Sequence, residues 1–314
     1  MKILFHENFL NKRGTSVALF DYAYYNQEIL NNESIIITNK NLPNDSEVLE
    51  KFKKYFNVLH YNLFNEINDH IKKEKVDLFY IIKSGENDGM IVSDVKNCVH
   101  SVFCTNPTQV HGDVYATVSE WLSSTSNYKI PFVPHMISLP IIEENLRNEL
   151  NIPEDTVVVG RYGGLETFDI PFVKNSIVNI LNSRSDIVFL FLNTYKFITH
   201  PRVIYLDSTS DMYFKTKFIN TCDAMLHARM QGESFGLSVL EFACKNKHII
   251  TYGLSPEKSH IMYLKDNCSV YYNQNNLDQI LNNINKKNPY NTCYLNEMFS
   301  PCNVMDKFKK VFLQ

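Results

Sequence analysis

The chain has 314 residues, more than one hydrophobic core usually serves, so length alone points to two domains of about 150 residues each. Hydrophobic residues make up 44% and charged residues 21%, a globular balance that excludes a disordered or fibrous protein. A formal net charge of −3 offers no basic field for nucleic acid, and no run of about 18 apolar residues is present to cross a membrane.

The first residues, "MKILFHENF", run straight into a strand over 2–6. They lack the basic flank, long apolar stretch and small-residue cleavage site of a secretory signal, so a cytoplasmic protein is expected, with room for contact at a membrane surface. A helix follows over 15–30, then strand 34–38, helix 46–55, strand 57–60, helix 66–74 and strand 76–82. Strands over 99–103, 114–119 and a short 132–134 complete the first series. "VDLFYII" is apolar on both faces, as a strand covered by helices on each side must be. Alternation of this kind indicates parallel βαβ units.

"SLPIIEENLRNEL", with Pro140 and a charged amphipathic run, reads as a connector. Beyond it come strands over 157–161, 187–192, 203–206, 224–228, 248–252 and 269–272. Helices fit 171–183, 211–220, 236–244, 255–263 and 277–286, and the tail 303–313 is helical. The fold class is therefore α/β, with two Rossmann-like domains facing a central cleft. The first spans 1–138 and the second 139–314, with the terminal helix free to pack back on the first. Seven scattered cysteines without a C-x-x-C pair read as buried, reduced thiols rather than as a zinc site or a disulfide framework. No metal is expected, and the full G-x-G-x-x-G fingerprint of a nicotinamide enzyme is missing.

The most informative stretch is "HARMQGESFGLSVLEFACKNKHIITYG", His227 to Gly253. Glu233 and Glu241 stand eight positions apart, in the order strand, short loop, helix. A helix start offers unpaired N–H groups and the positive end of its dipole, a ready site for a diphosphate. Gly236 lets a ligand approach the backbone closely. One carboxylate at each end with a diphosphate between them fits a nucleotide-sugar.

"GESFGLSVLEFA" resembles the E-x7-E element of retaining GT-B glycosyltransferases of the glycosyltransferase 4 type. "VVVGRYGGLETFDI" is similar to their other phosphate-binding segment. "IKSGENDG", "VHSVF", "HGDVYATVSEWL" and "PFVPHMISLP" resemble the first half of bacterial and viral enzymes of this kind. The resemblance covers most of the chain and implies the GT-B fold. It further implies sugar transfer, with retention, from a UDP- or GDP-linked donor to a hydroxyl of a glycan or glycoconjugate, without metal or cofactor. By it, Glu233 stands near the donor sugar and Glu241 on the ribose. Arg161 holds the diphosphate together with the backbone of Ser234, Phe235, Gly236 and Leu237. The pattern usually carries a lysine about five positions after Gly-Arg; here that position is Glu166, and Arg229 is the cation best placed to substitute.

In the first half, Gly14 and Thr15 sit at a strand-to-helix turn where a ligand could approach, or where a turn simply needs a glycine. His111 is a candidate to hydrogen-bond the sugar or the acceptor hydroxyl, against the plainer reading of a satisfied loop histidine. Lys83 is a further candidate, while His6 and His135 read as strand-end residues. Two alternatives stay open: a non-catalytic glycan- or nucleotide-binding module of the same fold, which Glu166 favours, and a sugar-nucleotide epimerase, for which no extra acid and base are found.

Overall fold

Apolar runs too long to alternate set the frame. Ile3, Leu4 and Phe5 in strand β1 (Lys2–His6) are fully buried, so both faces of that strand are covered. In the computed structural model, which describes residues 1–314, the chain continues as α1 (Gly14–Glu28), β2 (Glu33–Asn39), α2 (Ser46–Lys53) and β3 (Asn57–Tyr61). Then follow α3 (Ile67–Glu74), β4 (Leu78–Lys83), β5 (Lys96–Ser101), β6 (Val114–Thr117) and α4 (Glu120–Thr125). All six strands are parallel, in the order β3-β2-β1-β4-β5-β6, with Leu4 opposite Ile35 on one side and Phe79 on the other. The chain reverses its direction of travel across the sheet between β1 and β4, the switch point of a doubly wound fold.

The second series runs β7 (Val157–Tyr162), α5 (Pro171–Ser183), β8 (Ile187–Leu192), β9 (Val203–Leu206), α6 (Met212–Thr221) and β10 (Ala224–Leu226). It continues with β11 (Gly232–Glu233), α7 (Leu237–Cys244), β12 (His248–Tyr252), β13 (Glu257–Lys258), α8 (Ser259–Leu264), β14 (Ser269–Tyr271) and α9 (Gln274–Asn283). Its main sheet has the order β14-β12-β10-β7-β8-β9, again all parallel, which is the same winding with its switch between β7 and β10. Every residue of β8, "IVFLFL", is buried.

Two lobes result: Met1–Ser138 with Met298–Gln314, and Leu139–Glu297. After α10 (Tyr294–Met298), helix α11 (Pro301–Phe308) and a π-helical turn, Lys309–Leu313, bury Phe308 and Phe312 against Phe5, Tyr22, Tyr80 and His100 of the first lobe. Within the expected connector Arg147 is buried, donating to Asp223 at 2.9 Å and to the carbonyls of Pro153 and Thr156.

Some local expectations are corrected. The strand expected over 132–134 is a single bridge from Phe132 to Thr117, because Pro131 and Pro134 offer no N–H to a ladder. The strand expected to 119 stops at Thr117, since Ser119 turns to cap α4 through the Leu122 N–H. The helix expected over 255–263 is split: Glu257–Lys258 pair with Gly232–Glu233 first, and α8 starts only at Ser259. Of the seven free cysteines, Cys293 and Cys302 are exposed rather than buried. No helix is long and apolar enough to cross a membrane.

Candidate functional site

Ligands of doubly wound sheets lie outside the carboxyl ends of the strands at the switch point. In the second lobe that edge is made by the ends of β7 and β10. β7 delivers Arg161, and the segment after β10 delivers His227, Arg229 and Glu233. The segment is held from both sides. Met230 N–H donates to Asp169 at 2.7 Å, and Ser255 donates to the Arg229 carbonyl at 3.0 Å. Gly232 turns with φ +78°, and a side chain there would drive into the carbonyl oxygen of Glu257, so only glycine fits.

Glu233 is gripped at both oxygens: Oε1 lies 3.1 Å from His227 Nε2, and Oε2 accepts from Arg229 at 3.0 Å. Burial works to raise its carboxyl, but the hydrogen bond from His227 and the charge of Arg229 outweigh it and hold the group below its ordinary range. Behind it His227 Nδ1 lies 2.9 Å from Thr251 Oγ1, which is 2.8 Å from His260 Nε2. Burial and the neighbouring His227 push His260 down to about 3.

Helix α7 opens at Gly236, whose φ of +91° is left-handed, and no side chain caps it. Asp45, Ser119, Asp211, Asn273 and Ser300 cap α2, α4, α6, α9 and α11, while α1, α3, α5 and α8 also start without a side-chain cap. Gly236 is buried, Ser234 and Leu237 are half-buried, and buried Phe235 packs edge-on to Tyr263. Glu241 lies further along α7 in a second cluster. It is 2% exposed and accepts from Lys215 at 3.3 Å, whose ammonium rides 5.3 Å over the Tyr162 ring.

Arg161 is 3% exposed. Its guanidinium donates to the Asn193 carbonyl and Thr194 Oγ1 on one side, and to the Gly164 carbonyl and Thr167 Oγ1 on the other, all at 2.6–2.8 Å. It therefore clamps the loops that follow β7 and β8. Burial lowers it to about 10, with Glu233, Glu166 and Asp169 pulling the other way. Glu166 itself is exposed on the first of those loops.

The corresponding edge of the first lobe joins the ends of β1 and β4. Lys83 is ion-paired with Asp88, and its ammonium donates to His111 Nε2 at 3.1 Å. His111 Nδ1 faces the Gln109 carbonyl at 2.7 Å, so the ring carries its proton on Nδ1. Gly14 and Thr15 open α1; Gly14 is exposed and its φ is not positive. Next to them Ser16 donates to buried Glu7 at 2.7 Å. Burial raises the Glu7 carboxyl to about 7, against hydrogen bonds from Thr15 and Ser16 that lower it. His6 and His135 are core residues, hydrogen-bonded to Tyr61 and Tyr22 and held far below their ordinary range by burial.

The geometry thus brings Glu233, Arg229 and Arg161 to one strand edge with Gly236, and sets His111 with Lys83 on the edge of the other lobe. Sequence reasoning passed over His227, Thr251, His260, Lys215, Asp88 and Glu7. For His227 a signal existed, since it ends the strand just before the carboxylate loop; so did one for Glu7, a carboxylate closing an apolar strand.

No family model and no curated protein matches the chain. Solved structures do. HepE of Anabaena, in complex with UDP and glucose, superposes with a TM-score of 0.71 at 12% identity, covering 99% of this chain and 98% of its own. WaaG, a glycosyltransferase involved in lipopolysaccharide biosynthesis, gives 0.67 at 10% identity, with 99% of each chain covered. A glycosyltransferase from Rickettsia africae gives 0.66 at 14% identity, covering 99% of this chain and 93% of its own. The fold is GT-B. At such identity the likeness speaks for the fold, which here consists of two Rossmann-like lobes.

Proposed function

We propose that the chain transfers a sugar from a nucleoside-diphosphate sugar to a hydroxyl of a glycan or glycoconjugate, with retention and without a metal. The observation that carries this reading is the start of α7: a left-handed glycine, no capping side chain, and Glu233 beside it at a switch point. Backbone N–H groups at a helix start suit a diphosphate. UDP bound to a neighbour of the same fold supports a UDP-linked donor.

Each residue then has a part. The N–H groups of Phe235, Gly236 and Leu237, with Ser234, receive the diphosphate. Arg229 supplies the cation that Glu166 does not, and Arg161 adds its buried charge while shaping the loops. As the bond from the sugar C1 to the diphosphate breaks, negative charge grows on the leaving group and positive charge on the sugar. Arg229 and the helix start answer the first, and ionised Glu233 the second. The acceptor oxygen bonds to C1 on the face the diphosphate leaves, and its proton passes to the leaving phosphate. Glu241 takes the ribose hydroxyls, with Lys215 balancing its charge. His111 and Lys83 serve the acceptor on the first lobe, and Gly14 and Thr15 let the nucleotide-sugar or the acceptor approach.

A second reading, a binding module of the same fold, is favoured by exposed Glu166 and by Arg161 donors already engaged. One experiment separates them. UDP-glucose is incubated with the chain, and the released sugar is followed by proton NMR. Release of α-glucose before mutarotation supports retaining transfer. Binding of UDP without release supports the module; absence of both, repeated with GDP and a GDP-linked sugar, overturns a nucleotide site in either reading. Arg229→Ala should cut kcat by on the order of a hundredfold, as loss of a preorganised donor does; unchanged turnover would leave Arg229 with a structural part only.

A further inference from the structure

Behind Glu233 lies a chain of polar groups that no substrate can reach. His227 is 4% exposed, and Thr251 and His260 are fully buried. A single hydroxyl sits between the two rings, 2.9 Å from His227 Nδ1 and 2.8 Å from His260 Nε2. A hydroxyl has one proton and two lone pairs, and the two rings are the partners of this one, so Thr251 donates to one of them.

The buried surroundings decide which. His260 Nδ1 has no hydrogen-bond partner. If the neutral ring carried its proton there, a buried donor would be orphaned, whereas a buried lone pair is the lesser loss. The proton therefore sits on Nε2 and points at Thr251. Thr251 then donates to His227 Nδ1, which leaves the His227 proton on Nε2, facing Glu233 Oε1 at 3.1 Å. All three hydrogen bonds run one way and end on the carboxylate. Burial, which holds His260 at about 3, keeps the far end neutral.

The backbone fixes the same arrangement. The parallel pairing of Gly232–Glu233 with Glu257–Lys258 brings α8 under the carboxylate loop. A Cβ on Gly236 would lie 3.0 Å from His260 Cβ and 3.1 Å from Glu233 Cβ, so relay, carboxylate and helix start are packed as one body.

We propose that Thr251 and His260 are positioning residues, which hold the His227 ring from behind and through it the aim of Glu233 at the donor sugar. The aim at a sugar rests on the reading above; the relay itself does not.

Thr251→Val is nearly isosteric and removes only the hydroxyl, and Thr251→Ser restores it. With 15N-labelled histidine, assigned through His227→Gln and His260→Gln, the wild type should show both rings protonated on Nε2. Thr251→Val should leave the His227 proton on Nε2, where Glu233 holds it, but shift the Nδ1 resonance, which loses its donor, and Thr251→Ser should restore it. In turnover, Thr251→Val should lower kcat about tenfold or more, with UDP affinity within about twofold, and Thr251→Ser should recover most of it. A His227 ring protonated on Nδ1 in the wild type overturns the relay, as does a Thr251→Val chain whose Nδ1 resonance is unchanged. Unchanged kcat in Thr251→Val, in an active enzyme, overturns the positioning role. A wild-type chain with the stated tautomers but no turnover supports the relay and defeats the glycosyl-transfer reading instead.

Discussion

At the scale of single residues, charge burial separates side chains that the sequence presents alike. Glu233 and Glu7 are both acidic residues next to strand ends. Glu233 has a histidine and an arginine at its oxygens and stays ionised; Glu7 has hydroxyls for company and is raised to about 7 by burial. Folding therefore favours the protonated form of Glu7. This contribution is full below the unfolded value of about 4.5 and is lost as pH rises through about 7. Glu7→Gln keeps an acceptor for Ser16 and removes the penalty. Its stability relative to wild type should climb between pH 5 and 8 by on the order of 1–3 kcal/mol in urea titrations. A pH-independent difference would show that Glu7 titrates normally. The two motif carboxylates differ as well. Glu233→Gln should retain UDP affinity and lose turnover. Glu241→Gln, chosen because Ala would strand buried Lys215, should weaken UDP binding by roughly 1–3 kcal/mol in calorimetry. Weakened UDP binding in Glu233→Gln with intact UDP binding in Glu241→Gln would mean that their parts are exchanged.

At the scale of elements, the start of α7 concentrates the constraints. Gly236 needs a left-handed backbone and has neither room nor a conformation for a side chain. Gly89 is a natural control: its φ is +74°, yet nothing lies within 4 Å of a Cβ there. Gly89→Ala should cost about 1–2 kcal/mol, the strain alone. Gly236→Ala should cost more and also lower UDP affinity, because Glu233 and His260 must give way; equal costs with intact binding would remove the crowding argument. Such elements were unevenly legible. β8 is apolar at every position and reads as a buried strand without ambiguity. The motif glutamates were legible because their spacing is local, carried by one loop and one helix. The two-residue ladder of Gly232–Glu233 with Glu257–Lys258 left no periodic trace, since two residues make no pattern. The relay through Thr251 and His260 was invisible for the same reason: chain pairing created in three dimensions joins them to Glu233.

At the scale of the whole molecule, buried histidines govern the response to acid. Burial lowers His6 and His260 to about 3, His100 and His248 to about 4, and His135 well below its ordinary value. Each binds a proton in the unfolded chain near pH 6.5 but resists it when folded. Their contribution to stability is full above that value and is lost as pH falls toward the folded values. Glu7 has the opposite sign over the same range. The first lobe therefore sets three histidines, His6, His100 and His135, against one carboxyl, for a net difference of about two protons. The second lobe sets His248 and His260 against Glu257, which burial raises, and reaches a net between one and two. Between pH 6 and 5 the first lobe should lose roughly 2–3 kcal/mol per pH unit and the second roughly 1–3, at about 1.36 kcal/mol per proton. Carboxylates held low, such as Glu233 and Asp88, add to the loss only at lower pH. With a domain stability of about 5–15 kcal/mol, two such steps are enough to approach unfolding. The urea midpoint should thus fall from pH 7 to 5 in both lobes, and no more steeply in the second than in the first. His260→Gln should flatten the slope of the second lobe by about half while leaving the first unchanged. A midpoint that is level from pH 7 to 5 would mean that these rings take up protons in the folded state.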